Sequence, residues 1–314
     1  MMNSQVEALN TAEDLLSDSS RWPAELSLGF ASSNRGVVLK YSRHNGPLYI
    51  QKPFYPEGQQ LAHVYLLHPP GGLVSGDKLK INVAMAQKAQ ALITTPGAGR
   101  VYRARSDRTL QHQQVTLELA ENSTLEWLPQ ETIIYPGANT RLDTQVSLSA
   151  GARFIGWEIT CLGLPENAMR FDTGQLQQCF QIKKQGRIAL CEHLLLDDQS
   201  RNTFTGLAGF GARPINGLMI AGPFSESAQV DILIEQLRQQ CNYISPEGRT
   251  LNENPLNISS PDELAGVSHT GDFLLIRYLG HSSEQARELF NQCWALIRPK
   301  LLGLPNIPPR IWAT

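Results

Sequence analysis

Four pairs of strand-like segments recur along this chain with one spacing, and that regularity narrows the possible folds more than any single motif. The last inward residue before each turn and the first after it are Met85 and Ala91, Leu119 and Leu125, Leu148 and Phe154, and Ile182 and Ile188, six positions apart every time. Around them, segments 83–85, 115–119, 146–148 and 180–182 alternate apolar and polar residues, the period of a half-buried strand. The units repeat at roughly 30 residues, within the range that marks stacked repeats and solenoids. An ordinary meander whose hairpins share a turn length gives the same spacing. Stacking is favoured, because a lone hairpin cannot bury its face whereas successive ones build a continuous core.

The flanking sequence is consistent with a mainly β body. Segments 26–30 and 37–41 flank Ser33-Asn34-Arg35-Gly36, a hairpin signature. Further strands are predicted at 48–51, 62–68, 78–84, 91–95 and 273–279. Two segments carry helical periodicity. Residues 225–240 open on a serine cap and place Val230, Leu233, Ile234 and Leu237 on one face. Residues 282–298 open the same way, gather Ala286, Leu289, Phe290, Cys293, Trp294 and Ile297, and are expected to stop before Pro299.

Composition excludes several partner classes. The formal net charge is −2, so the basic footprint of a nucleic-acid or anionic-membrane binder is missing. No run is apolar for long enough to span a membrane, and residues 1–20 lack the basic start and apolar centre of a secretory signal. A cytoplasmic protein is expected, with a flexible tail over 1–22 and a single β-rich domain over 23–314. The five cysteines, Cys161, Cys179, Cys191, Cys241 and Cys293, are widely spaced and never form Cys-x-x-Cys, so we expect mostly buried apolar fillers rather than disulfides or structural zinc.

Between His68 and Arg103 lie two turn clusters. The first, His68-Pro69-Pro70-Gly71-Gly72-Leu73-Val74-Ser75-Gly76-Asp77, is a shaped corner in which Gly71 and Gly72 are expected to take conformations unfavourable for other residues. A phosphate cradle needs Lys-Ser/Thr or a helix directly behind the glycines, and here a strand follows. No hydrolase triad, Cys/His set or HExxH is present, and His63 and His68 fall on opposite faces of one strand. What stands out is acids in otherwise apolar strands: Glu158 beside Trp157, Glu192 beside Cys191, Asp143 after Leu142, and Asp77 at the corner. Such acids either face solvent or are buried with cations, water or metal to offset desolvation. Carboxylates with a few histidines suit a divalent ion held weakly and exchangeably.

An ordered series of unusual strings resembles the urease accessory protein D family, called H in some organisms. It comprises Pro47-Leu48, Phe54-Tyr55-Pro56-Glu57, Tyr65-Leu66-Leu67-His68-Pro69-Pro70-Gly71-Gly72, Gly76-Asp77, Thr95-Pro96-Gly97-Ala98 and Tyr102-Arg103. It continues through Leu125-Glu126-Trp127-Leu128-Pro129-Gln130, Pro136-Gly137-Ala138 and Leu162-Gly163 to Pro309-Arg310-Ile311-Trp312. Three positions depart from the family's pattern: Leu164-Pro165-Glu166-Asn167, Gly99, and Gly266-Val267-Ser268-His269. The resemblance implies a mainly β fold of stacked β-sheets in a β-helix-like winding, with two α-helices near the C-terminus. It implies a non-enzymatic scaffold in urease maturation that binds accessory protein F, which recruits the GTPase G, and docks them on apo-urease subunits. Nucleic acid and membrane are not expected partners, and no cofactor is held permanently. Nickel is expected to pass transiently through an acid-lined interior, with Asp77, Glu158 and Glu192 as candidate lining and His68 as a further candidate.

Two other functions remain open at this point: a β-solenoid enzyme using Asp77 and Glu158 on polysaccharide, and a protein-binding module without metal. The tail holds Arg310 and Trp312, side chain types that carry binding energy at interfaces. Trp312 either contacts accessory protein F or folds back on helix 282–298 and closes the core.

Overall fold

Alternation makes the strands, and the constant turn spacing stacks them. The computed structural model describes residues 23–225, 228–242 and 263–313, so the predicted tail at 1–22 lies outside the described residues. In chain order the strands begin with β1 (Pro23–Ser33), β2 (Gly36–Asn45), β3 (Tyr49–Ile50), β4 (Ala62–Leu67), β5 (Lys78–Met85) and β6 (Gln90–Thr94). They continue with β7 (Gly99–Val101), β8 (Gln111–Leu119), β9 (Thr124–Leu128), β10 (Thr132–Ile134), β11 (Asn139–Leu148) and β12 (Arg153–Leu164). The last are β13 (Met169–Arg170), β14 (Gln175–Lys184), β15 (Arg187–Leu196), β16 (Ile215–Gly222), β17 (Leu264–Thr270) and β18 (Phe273–Gly280). The helices among the described residues are α1 (Arg201–Thr205), α2 (Ala228–Asn242) and α3 (Ser283–Leu302).

Strands β5, β8, β11 and β14 lie parallel in an outer sheet ordered β15-β14-β11-β8-β5-β1-β2. Strands β4, β6, β9 and β12 lie parallel in an inner sheet ordered β17-β18-β16-β12-β9-β6-β4-β3. The chain crosses between sheets in each unit, from β5 to β6, β8 to β9 and β11 to β12. A short third run of β7, β10 and residues 160–162 of β12 completes each coil. This is the expected winding, and the spacing is visible in it. Met85, Leu119 and Leu148 stand in one ladder, and Ala91, Leu125 and Phe154 in another, all buried between the sheets.

The fourth pair breaks the pattern. Strands β14 and β15 form an antiparallel hairpin within the outer sheet, its register shifts at Ile182/Lys183, and Ile188 is 63% exposed. A six-residue separation serves a hairpin as well as a crossover, so spacing alone could not tell them apart. Two helix expectations also need correction. Helix α1 was not anticipated, because five residues give no periodicity to read. Helix α3 runs through Pro299 to Leu302, where Gly303 closes it in the left-handed region at φ 70°. Burial of Leu301 and a bond from Arg153 Nη1 to the Leu301 carbonyl (2.7 Å) hold the last turn against the lost proline hydrogen bond.

The outer sheet alternates buried and exposed residues, whereas β9 is buried throughout, as expected for a strand covered on both faces. One core fills the space between the sheets. A second lies on the far face of the inner sheet, where Trp157, Met219 and Ile276 meet Leu233, Leu237, Phe290 and Trp294 of α2 and α3.

A charged cluster crosses that second core. Arg298 of α3 has no exposed surface and makes two-pronged contacts with both Glu126 (Nε–Oε1 2.9 Å, Nη2–Oε2 3.0 Å) and Glu57 (2.7 Å at Nη1 and Nη2). It also donates to the Pro305 carbonyl. Trp294 Nε1 donates to Glu126 (2.7 Å), and the Arg298 guanidinium lies 4.8 Å from the Trp294 ring centre. His63 Nε2 stands 2.9 Å from Glu57. Burial pushes the Glu126 carboxyl up against the pull of Arg298. Burial also raises Glu57, but its bonds to His63 and Arg298 outweigh that and leave it below the usual carboxylate range. Removing one partner strands the other charges, so Arg298→Met is expected to cost about 3–5 kcal/mol in urea denaturation. A loss under about 1 kcal/mol, the scale of an exposed pair, would show that the cluster is incidental.

Candidate functional site

The corner after β4 shapes one end of an internal cavity. Leu73 bridges to Val101 through bonds from Leu73 N to the Arg100 carbonyl (2.8 Å) and from Tyr102 N to the Leu73 carbonyl (2.9 Å). Buried Gln111 clamps both turns by donating to the Leu73 (3.1 Å) and Tyr102 (2.7 Å) carbonyls. The two glycines are needed for different reasons. Gly71 sits at φ 75°, as expected, but Gly72 does not have a positive φ. A Cβ on Gly72 would meet the Arg100 carbonyl oxygen at 2.6 Å, so space rather than backbone angle requires glycine there.

Behind this corner a cavity of about 310 Å³ lies between the sheets, with His68, Gly72, Arg100, Trp127, Glu158 and Gln178 among its lining residues. Its polar floor bridges the two sheets, with β12 of the inner sheet facing β11 and β14 of the outer one. Glu158 of β12 accepts from Thr144 Oγ1 of β11 (2.5 Å) and from Gln178 Nε2 of β14 (2.7 Å), and Thr160 Oγ1 donates to Gln178 Oε1 (3.2 Å). A smaller cavity of about 90 Å³ shares Glu158 and Gln178 and continues to Glu192, Asn216 and Arg277. Arg277 Nη2 donates to Glu192 Oε1 (2.8 Å) at the open edge between the sheets. Glu158 thus borders both spaces, with the His68 corner at one end and the Glu192–Arg277 pair at the other.

The candidate acids therefore divide. Glu158 and Glu192 face interior space. Asp77 lines neither cavity; its Oδ2 accepts from Val74 N (2.8 Å) and holds the corner turn. The charge of Asp77 still acts on His68, whose imidazole is pushed down by burial and pulled partly back by Asp77, which favours the neutral form able to ligate. Burial pushes the Glu158 carboxyl up, Thr144 and Gln178 counter this, and Asp143 adds to the rise. The Asp77 and Glu158 pair considered for glycan chemistry is not brought together.

The C-terminal residues are placed as follows. Trp312 folds back, with its ring 5.5 Å from Trp157 and 5.8 Å from Trp294, and its Nε1 donates to Thr94 Oγ1 (2.9 Å). Arg310 is exposed. The clustered charges at Glu57, Glu126 and Arg298 were not anticipated from sequence. The available signal was Glu126 inside Leu125-Glu126-Trp127-Leu128, where an acid in a doubly covered strand needs a buried partner.

Fold and site define a β-helical scaffold enclosing a polar-floored internal space and backed by a helical layer. A family model described as UreD urease accessory protein matches residues 23–313. Curated relatives named urease accessory protein UreD include that of Marinomonas sp. (strain MWYL1), 53% identical over 300 residues, covering 94% of this chain and 91% of the relative. That of Hahella chejuensis is 36% identical over 98% of this chain and 96% of the relative, and that of Methylobacillus flagellatus is 36% identical over 94% and 95%. The chain belongs to the UreD urease accessory protein family, which supports a role in urease maturation. No helix among the described residues is long and apolar enough to cross a membrane.

Because the folded state holds the Glu158 carboxyl above its unfolded value, ionising it disfavours folding at neutral pH, and this cost fades as pH falls to the unfolded pKa. Glu158→Gln should therefore be more stable than the parent at pH 7, with the difference vanishing under acid conditions in melts across pH. A variant less stable than the parent at pH 7 would show that the carboxylate itself is required.

Proposed function

We propose that this chain serves urease maturation as a non-enzymatic cytoplasmic scaffold, linking accessory proteins F and G to apo-urease subunits and conducting nickel through its interior. The observation that supports the passage is Glu158, one carboxylate bordering two cavities, of which one is also lined by His68 and the other by Glu192 and Arg277. A conducted ion must be released as readily as it is bound. A single carboxylate, amide and hydroxyl oxygens and one imidazole held towards its neutral form offer incomplete coordination, which suits transfer rather than storage. At the tail, Trp312 is anchored on two tryptophans while Arg310 remains exposed, so accessory protein F would meet an arginine on a pre-ordered segment.

Glu158→Leu and Glu192→Leu, co-expressed with urease and the other accessory proteins, should keep the thermal melt and the pull-down of F and G while lowering nickel per urease. Normal nickel content in both folded variants would remove the passage and leave the scaffold. Failure to pull down F or apo-urease with the unaltered chain would remove the scaffold itself.

A further inference from the structure

Most of the wall around Glu158 gives a passing metal ion nothing to bind. Leu66, Leu79, Ile81, Val115, Trp127 and Leu142 line the same cavity, each at most 7% exposed. At about 310 Å³ the space reaches the lower end of small-molecule sites, about 300–1,000 Å³, which combine an apolar lining with a few placed polar groups. Water can solvate Glu158, but it gains nothing from the apolar wall, and a dry cavity of about 150 Å³ with such a wall already takes up benzene.

The charged lining residues define the head group of a guest. They are Glu158, His68 and Arg100. Arg100 is exposed, so solvent and salt screen its charge. Burial holds His68 towards its neutral form. Glu158 differs from both. Its carboxylate accepts from the Thr144 hydroxyl and the Gln178 amide, and among the described residues no cation pairs with it. Arg277, which borders the smaller cavity with it, is already bonded to Glu192. A carboxylate withdrawn from water ordinarily has a cationic partner, and its four or so lone-pair sites exceed the two donors it meets here. The burial that pushes this carboxyl up is offset by any cation brought beside it.

We propose that the cavity between the sheets is a binding site for a small amphiphilic amine, its primary ammonium on Glu158 and its apolar body against Leu79, Val115, Trp127 and Leu142. An ammonium carries three donors and no acceptor, so it complements a carboxylate with open lone pairs. Its short alkyl or aryl chain covers apolar surface that water and metal ions leave unused. A neutral alcohol of equal length gains the wall without the charge, and a carboxylate of equal length brings a like charge to Glu158. The site shares Glu158 with the nickel passage and does not rest on it.

The test is isothermal titration of the full chain in metal-free buffer with n-hexylamine, n-hexanol and hexanoate, so that its outcome is independent of nickel. Hexylamine should bind at one molecule per chain and more than about tenfold tighter than hexanol, the scale of one hydrogen bond to a charged group, with hexanoate weakest. That ranking is read on the unaltered chain. Glu158→Gln, shown to be folded by its melt, should bring hexylamine down to the affinity of hexanol. Absence of saturable hexylamine binding overturns the proposal, and equal affinity for the three ligands overturns it too. So does a preference for the amine that survives in folded Glu158→Gln, which would put the ammonium on acids elsewhere.

Discussion

The position of the helical layer depends on Arg298. The inner sheet is buried on both faces, so it is incomplete without α3, and α3 meets it through a guanidinium gripped by Glu126 from the sheet and Glu57 from the loop before β4. Apolar packing holds a helix against a sheet without fixing its register. A buried two-pronged contact fixes both, because any slide leaves charges without partners in a dry interior. The same arginine holds the Pro305 carbonyl, and its neighbour Trp294 packs against Trp312, so the segment from Pro305 to Trp312 is tied down through one side chain and the ring beside it.

On the other face of the inner sheet the physical problem is reversed. Facing sheets ordinarily interdigitate apolar side chains across about 10 Å. In the last coils of the winding, Thr144, Glu158, Thr160 and Gln178 stand between the sheets in place of apolar residues and bond to one another, beside the packed pair Phe154 and Phe180. The crossover spacing that builds the coils therefore also decides which side chains surround the cavity, since β11, β12 and β14 each contribute one part of its floor. Raising the Glu158 carboxyl through burial makes that floor sensitive to charge, a property suited to admitting a cation.

Much of this was legible in the sequence, and the exceptions have physical causes. Alternation and the six-residue separation located three of the four strand pairs, because each crossing buries both flanking residues. The separation failed at Ile182 and Ile188, where a hairpin has equal length and leaves Ile188 in solvent. Glu158 and Glu192 were visible as acids in apolar strands, but strand period alone did not say which face was interior. Asp77 drew notice for the same reason and proved to cap a turn. The Arg298 cluster joins residues up to 241 positions apart, which no local pattern encodes.

If nickel crosses this protein as proposed, it occupies the space between the sheets, and anomalous diffraction from nickel-exposed crystals of the full chain locates it. A nickel peak is expected within ligating distance of Glu158, lost in Glu158→Leu crystals of the same form. Nickel found only on outer surfaces, with the Glu158 cavity holding none, would contradict it.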